Sequence, residues 1–115
     1  MKLGPLGIWS RELRFGNPDE IVEAAVELDQ RGFDVLWIPD LGGPVFDAVQ
    51  RLLASTQRVC VATGILNIWM HDPEEVAAAQ DDLERRYPAR FLLGLGIGHA
   101  PIVDDGHPGR YRKPL

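Results

Sequence analysis

Residues 90–101, RFLLGLGIGHAP, decide between two classes of α/β fold. A strand-like apolar run breaks into Gly94, Gly96 and Gly98 just before His99. Glycines at this spacing could cradle the phosphates of a dinucleotide, provided that the turn opens a helix whose N-terminus holds the pyrophosphate. The chain instead continues as HAPIVDDGHPG, which is rich in turn residues. We therefore expect a loop after Gly98 and no dinucleotide-binding turn.

The alternating glycines also have a second explanation. Each one removes a side chain from one face of a strand, so that a planar ligand or a neighbouring element can approach the backbone. They could equally do no more than relieve crowding inside a barrel. The residues alone leave both explanations open.

Four short apolar runs recur along the chain, at 6–9, 35–38, 59–66 and 91–98. They are almost continuously apolar instead of alternating with polar residues, which is typical of parallel strands in α/β proteins. Parallel strands need helical crossovers between them. The pattern therefore predicts four parallel strands with a helix in each interval.

Helix start and stop signals lie in the intervals. Asn17 followed by Pro-Asp-Glu predicts an N-cap, and Gly32 predicts the end of that helix. Asp72 opens a second helix in the same way, and Pro88 stops it. A weaker helical pattern occupies 45–54. The order is strand–helix three times and then a fourth strand, which fits either an open doubly wound sheet or part of a barrel.

Composition limits the classes of partner and location. The 115 residues include 17 acidic and 12 basic side chains, a net charge of −5, and the basic residues form no stripe. We therefore expect no nucleic-acid or anionic-membrane partner. No apolar run approaches the length of a membrane span and the N-terminus has no signal-peptide core, so a cytoplasmic protein is expected. His99, Asp104, Asp105 and His107 match no metal-binding spacing, so no metal is expected.

Three segments together carry a family resemblance: GFDVLWIPD, VCVATGILNIWMHDPEEVAAA and ERRYPARFLLGLGIGHAP. They resemble the luciferase-like monooxygenase superfamily, and most of all its oxidoreductases that use the deazaflavin coenzyme F420. The resemblance implies a TIM barrel, a fold of roughly 250 residues. Residues 1–115 would then form its N-terminal half as one partial domain, truncated before the fourth helix.

The resemblance also implies a cofactor ring at the C-terminal mouth of the barrel. Asp40, at the end of the second strand, matches an acidic residue beside the ring, in a binding or catalytic role. Many relatives have a catalytic histidine next, where this chain has Leu41. At the end of the third strand, Thr63, Gly64 and Ile65 match a bulge in which a cis peptide between the last two residues backs the ring.

Four more positions follow from the same resemblance. Asn67 would be a polar contact to the ring, and Gly96 and Gly98 match the positions of close approach. His99 falls where some sugar-phosphate-oxidising relatives have a glutamate, which implies proton transfer as a catalytic role. Asp40 also has a simpler explanation as a cap for the Gly-Gly-Pro turn. We expect His71 to be a solvated loop residue, and the role of Trp9 is left open.

The resemblance implies an oxidoreductase that moves a hydride between coenzyme F420 and a small organic substrate, inactive as this fragment alone. One alternative is an FMN-dependent monooxygenase on the same barrel. Another is a non-catalytic half-barrel, whose open sheet edges would pair with a second copy or with a missing C-terminal half.

Overall fold

The computed structural model describes residues 3–112. Its six strands are β1 (Gly7–Trp9), β2 (Val35–Ile38), β3 (Cys60–Thr63), β4 (Leu66–Asn67), β5 (Phe91–Leu92) and β6 (Leu95–Gly96). Its helices are α1 (Glu12–Phe15), α2 (Pro18–Gln30), α3 (Val45–Ser55), α4 (Pro73–Arg86) and α5 (Ala100–Val103). The predicted parallel α/β architecture with three crossover helices, α2 to α4, is confirmed. The one-turn helices α1 and α5 are additional.

Strand order separates the two architectures that the sequence left open. The main sheet is parallel with the order β1-β2-β3-β5, so each strand lies beside the one that precedes it in the chain. Right-handed crossovers in a sheet without reversal put every helix on the same face. A doubly wound sheet would reverse its order at a switch point. The order is therefore that of a barrel segment.

The two faces of the sheet have different surroundings. Leu36, Val61 and Phe91 alternate onto the helix side, where they join the buried core with residues of α2, α3 and α4. The opposite, inner face presents one row across four strands, paired in register as Trp9, Trp37, Ala62 and Leu92. Trp9 is 56% exposed, whereas Ala62 is buried. The inner face thus carries an exposed Trp9 beside the half-buried Trp37 and Leu92.

The predicted helix starts are confirmed. Asn17 Oδ1 accepts from the backbone N–H of Asp19 at 2.9 Å and of Glu20 at 3.3 Å. Asp72 Oδ1 accepts from the N–H of Glu74 at 2.9 Å. Each side chain satisfies donors that the first turn of a helix leaves without intrahelical partners. The starts of α2 and α4 are therefore determined by residues close to them in the sequence.

The third and fourth apolar runs differ from the prediction, because each forms two short strands instead of one. After β3 the chain leaves the main sheet, and β4 pairs with β6 as Leu66 with Leu95 and Asn67 with Gly96. Gly94 stands at the break, where its carbonyl accepts from Leu66 N at 2.6 Å. The separate two-stranded sheet extends the ends of the third and fourth barrel strands. It contains Asn67 and Gly96, two residues of the candidate site.

The segment after Gly98 also corrects an expectation. It is not a simple loop, because His99 N-caps the one-turn helix α5 before the chain enters turns at 104–109. Four residues provide only one helical turn, so the pyrophosphate-binding arrangement that requires a full helix does not form. Within residues 3–112, no helix is long and apolar enough to cross a membrane. The same residues contain no group of three or more side chains placed to hold a metal ion.

Candidate functional site

A cavity of about 220 Å³ opens at the carboxyl ends of the strands. This is the edge of a barrel at which functional groups gather. Six of the eight residues predicted for the site line it. The full lining is Trp9, Pro39, Asp40, Leu41, Gly64, Ile65, Asn67, Gly98, His99 and Ile102. Thr63 and Gly96 lie behind this wall.

The floor of the cavity contains the turn between β3 and β4. The peptide bond between Gly64 and Ile65 is cis, as the family resemblance implies. Trp9 Nε1 donates to the Gly64 carbonyl at 3.4 Å, so β1 and this turn meet at the cavity wall. The indole of Trp9 is exposed beside it. Trp9, whose role the sequence left open, is therefore part of the site.

Asp40 lies at the end of β2, but its side chain is fully buried. Its Oδ2 accepts from the backbone N–H of Asn67 at 2.8 Å, and its Oδ1 accepts from Gly42 N at 3.1 Å. The cap of the Gly-Gly-Pro turn, which was the simpler explanation from sequence, is thus present. The carboxylate also joins two segments of the site that are 27 residues apart.

His71 corrects the expectation of a solvated loop residue. Its Nε2 lies 2.7 Å from Asp40 Oδ2, and its side chain is only 16% exposed. Its ring meets the edge of the Phe46 ring, with centroids 6.2 Å apart and an interplanar angle of 72°. No local sequence signal predicts this contact, because Asp40 and His71 lie 31 positions apart and on different loops.

The loop after β2 is also held from the other side. Arg14 Nη2 donates to the Gly42 carbonyl at 2.9 Å, and Arg14 is 8% exposed. Burial lowers the pKa of this guanidinium, while the nearby Asp40 charge opposes that shift. Gly42 and Gly43 have φ of +96° and +74°, backbone conformations that side chains rarely adopt. The turn that positions Asp40 therefore depends on two glycines and one buried cation.

Asn67 is almost completely buried and has polar partners on its backbone and side chain. Its N–H donates to Asp40, and its Oδ1 accepts from Trp69 N at 3.0 Å. Its Nδ2 donates to no protein group within residues 3–112 and lies beside Gly98, where a Cβ would overlap it. The amide nitrogen is thus a donor at the wall of the cavity.

Thr63 is buried and engaged with the neighbouring segment. Its hydroxyl donates to the Gly94 carbonyl and accepts from the Gly94 N–H, both at 2.9 Å. The side chain is fully inaccessible. This two-way contact joins β3 to the break between β5 and β6.

The structure shows which protein atoms lie beside the alternating glycines. A Cβ on Gly94 would overlap the Thr63 carbonyl oxygen, and one on Gly96 would overlap the end of the Ile65 side chain. A Cβ on Gly98 would overlap the Asn67 amide. The glycines therefore admit a neighbouring element of the protein. That element is the cavity wall itself, and its side chains fit against the fourth-strand segment.

His99 is exposed at the rim of the cavity, directly before α5. Its neighbour Gly98 has φ of +66°, a conformation that turns the chain at the end of the strand extension. The imidazole is thereby placed beside the Gly64–Ile65 turn and Asn67. Its exposure leaves it accessible from the cavity.

A second, larger cavity of about 350 Å³ runs along α4. Its lining is predominantly apolar and contains none of the residues predicted for the site. The residues that line it are Leu66, Ile68, His71, Pro73, Val76, Ala77, Gln80, Leu93 and Leu95. His71 lines this groove while contacting Asp40, so the Asp40–His71 pair lies between the two cavities.

Comparison with known proteins identifies the family of the chain. A model of the family described as luciferase-like monooxygenase matches residues 5–115. An F420-dependent glucose-6-phosphate dehydrogenase of Nakamurella multipartita is 34% identical over 101 residues, covering 76% of this chain and 29% of that protein. A 4-hydroxyprotoasukamycin monooxygenase of Streptomyces nodosus subsp. asukaensis is 30% identical over 87 residues, covering 70% of this chain and 24% of that protein.

A solved structure gives the same result for the fold. An F420-dependent secondary alcohol dehydrogenase in complex with an F420–acetone adduct matches with a TM-score of 0.74 at 25% identity, covering 87% of this chain and 33% of that chain. The chain spans about a third of the length of the relatives that it matches. The predicted partial TIM barrel and the predicted resemblance are confirmed, and the chain belongs to the luciferase-like monooxygenase family.

Proposed function

We propose that the complete protein is an oxidoreductase that transfers a hydride between coenzyme F420 and a small organic substrate. The observation that carries the proposal is the cavity at the strand ends, which gathers six of the eight predicted site residues from segments up to about 60 positions apart. F420-dependent enzymes among the relatives support the choice of cofactor. The relatives are about three times as long as this chain, which supports a larger active protein. In this proposal the 115-residue chain alone is inactive.

The wall of the cavity suits a flat, mostly apolar ring. Trp9, Leu41 and Ile65 supply exposed apolar surface, and Asn67 supplies an amide donor. Sites for planar cofactors have this composition, with predominantly apolar walls and a few placed polar groups. The residues present therefore fit the ring of a deazaflavin. When bound, that ring would supply the carbon that accepts or releases the hydride.

The chain's own residues have separate parts in this proposal. The Gly64–Ile65 turn and Trp9 would orient the ring and exclude water from one side of it. Asn67 would donate a hydrogen bond from Nδ2. His99, exposed at the rim, would move the proton that accompanies the hydride, as a general acid or base. Thr63, Gly96 and Gly98 would act indirectly, by holding the wall in place.

The role that we propose for Asp40 differs from the role expected from the sequence. Its carboxylate is buried and already accepts from the N–H groups of Asn67 and Gly42. A catalytic role or direct contact with the ring would require it to leave these donors. We therefore propose that Asp40 supports the binding wall, and that the polar contacts to the ring come from Asn67 and His99.

The experiment that tests the function uses the complete gene product and an oxygen electrode. Reduced F420 should be reoxidised only when an organic acceptor is added, without oxygen consumption. The alternative is an FMN-dependent monooxygenase, which the monooxygenase relative favours. Oxygen consumption that depends on reduced FMN and organic substrate would contradict F420 chemistry and establish this alternative.

We also propose a cover for the apolar inner face of the sheet. In the row that contains Trp9, Trp37 and Leu92, Trp9 is 56% exposed and the other two side chains are half-buried. In a longer protein, a C-terminal half of the barrel would cover it, as the greater length of the relatives favours. In the 115-residue protein alone, a second copy would take its place. Three expectations stay predictions from the sequence: a small-molecule substrate, the absence of a nucleic-acid partner and a location in the cytoplasm.

A further inference from the structure

Two loops meet beneath the cavity, through the side chains of Asp40 and His71. Asp40 follows β2, and His71 closes the loop between β4 and α4. Their side chains meet at 2.7 Å between Oδ2 and Nε2, with the Asp40 side chain fully buried. The same Oδ2 accepts from the Asn67 N–H at 2.8 Å. One carboxylate oxygen thus contacts the side chain of His71 and also accepts a hydrogen bond from the backbone of Asn67, a cavity residue.

The chemistry of the Asp40–His71 pair indicates which group donates the hydrogen bond. An ionised carboxylate only accepts hydrogen bonds, so in the tautomer that bonds to an ionised Asp40, His71 Nε2 carries the hydrogen and donates. Such charge-assisted bonds are short and stronger than bonds between neutral groups. The donor restrains Asp40, and Asp40 in turn restrains the Asn67 amide. A second-layer donor of this kind orients a group that does not itself contact the donor.

The backbone turns between Asn67 and His71, and this turn places the imidazole beside Asp40. Asn67 Oδ1 accepts from Trp69 N at 3.0 Å, and the Asn67 carbonyl accepts from Met70 N at 3.2 Å. The segment is therefore a closed turn that starts at the cavity wall and ends at His71. The edge of the Phe46 ring supports the imidazole from α3.

We propose that His71 is a positioning residue, which fixes the cavity wall at Asn67 by holding the Asp40 carboxylate. The effect on cofactor binding rests on the proposed function, whereas the restraint on Asn67 does not. Without the donor, Asp40 can rotate away from the Asn67 amide, and the 64–67 segment loses a contact to the β2 loop. The wall then opens locally more often, without unfolding of the core.

The test compares two substitutions that differ in one hydrogen-bond donor. His71→Gln keeps an N–H close to the position of Nε2, whereas His71→Leu keeps apolar contact with Phe46 and removes the donor. Amide hydrogen exchange at Asn67 is measured by NMR in the protein without cofactor. The Val61 amide in β3, bonded to the Arg90 carbonyl at 2.8 Å, serves as the reference for an intact core.

We expect exchange at Asn67 to be about tenfold faster in His71→Leu and close to wild type in His71→Gln, with Val61 unchanged in both. Equal exchange in the wild type and His71→Leu would overturn the proposal. Equal acceleration in both variants would also overturn it, because it would assign His71 a packing role only. If His71→Leu fails to fold, His71→Asn replaces it, since the shorter amide cannot reach Asp40.

A second measurement separates this proposal from the proposed function. The same three proteins are titrated with coenzyme F420. Weaker binding in His71→Leu, with recovery in His71→Gln, would support both. If the wild type binds no F420, the proposed function fails, and exchange at Asn67 alone still decides whether His71 positions the wall.

Discussion

At the scale of single residues, side chains of the site fit into spaces that glycines leave free. Gly96 leaves room for Ile65, and Gly98 leaves room for the Asn67 amide. The sequence indicates that something must approach these glycines, since their alternation is visible in it. It does not indicate that the approaching groups belong to the protein, because that depends on how the chain turns at the Gly64–Ile65 peptide.

The space beside Gly96 gives the first prediction. Gly96→Ala should lower the free energy of unfolding by about 1 to 3 kcal/mol, because the new methyl group overlaps Ile65 in a packed wall. Ile65→Ala removes the overlapping atoms, so the double variant should be less destabilised than the sum of the two single changes. Urea unfolding of all four proteins measures this coupling. Strict additivity of the two changes would show that Gly96 and Ile65 do not share this space.

At the scale of elements, the sequence predicts what is local and misses what is not. The caps at Asn17 and Asp72 were predictable, because a cap bonds to residues two or three positions away. The contact between Asp40 and His71 was not, because tertiary folding alone brings the two loops together. The split of the third and fourth strands was missed for the same reason, since a continuous apolar run does not reveal where the strand leaves its sheet.

A carboxylate that joins two elements gives the second prediction. Asp29 in α2 accepts from the backbone N–H groups of Gln57, Val59 and Arg58, in the turn between α3 and β3. Burial by itself would raise the pKa of Asp29, but these donors outweigh burial and bring the pKa below its ordinary value of 3.8. A carboxyl group with a lowered folded-state pKa stabilises the protein above its unfolded-state pKa. That stability is lost as the pH falls through the folded-state value.

We therefore expect Asp29→Asn to reduce the loss of stability that accompanies acidification below about pH 5. Urea unfolding at a series of pH values measures the slope. Asp81→Asn, which changes an exposed aspartate on α4, is the matched control and should keep the slope of the wild type. If Asp29→Asn has the same slope as the control, the three backbone donors do not stabilise the ionised form.

At the scale of the whole molecule, the fold is a barrel segment with one covered face. The helices pack on one side of the sheet, and on the inner side Trp9 is exposed while Trp37 and Leu92 are half-buried. The sequence predicted this architecture well, because strand periodicity, helix caps and family resemblance all favour it. It left open whether the sheet was doubly wound, and the strand order resolved that point.

The open face gives the third prediction. The 115-residue protein should self-associate, because Trp9 and its neighbours would otherwise leave apolar surface in water and the edge strands unpaired. Sedimentation velocity over a range of concentrations should show association that Trp9→Lys weakens. Leu6→Lys, on the other face by strand alternation, should not weaken it. A monomer at every concentration would contradict self-association through this face.

The central claim is that the cavity at the strand ends accepts a deazaflavin ring. The most direct measurement is a fluorescence titration of the 115-residue protein with coenzyme F420 and with FMN, using wild type, Asn67→Ala and Gln80→Ala. Gln80 lines the other cavity, along α4. We predict saturable binding with a preference for F420, weakened by Asn67→Ala and unchanged by Gln80→Ala. Absence of saturable F420 binding, or binding that Asn67→Ala leaves unchanged, would contradict the account.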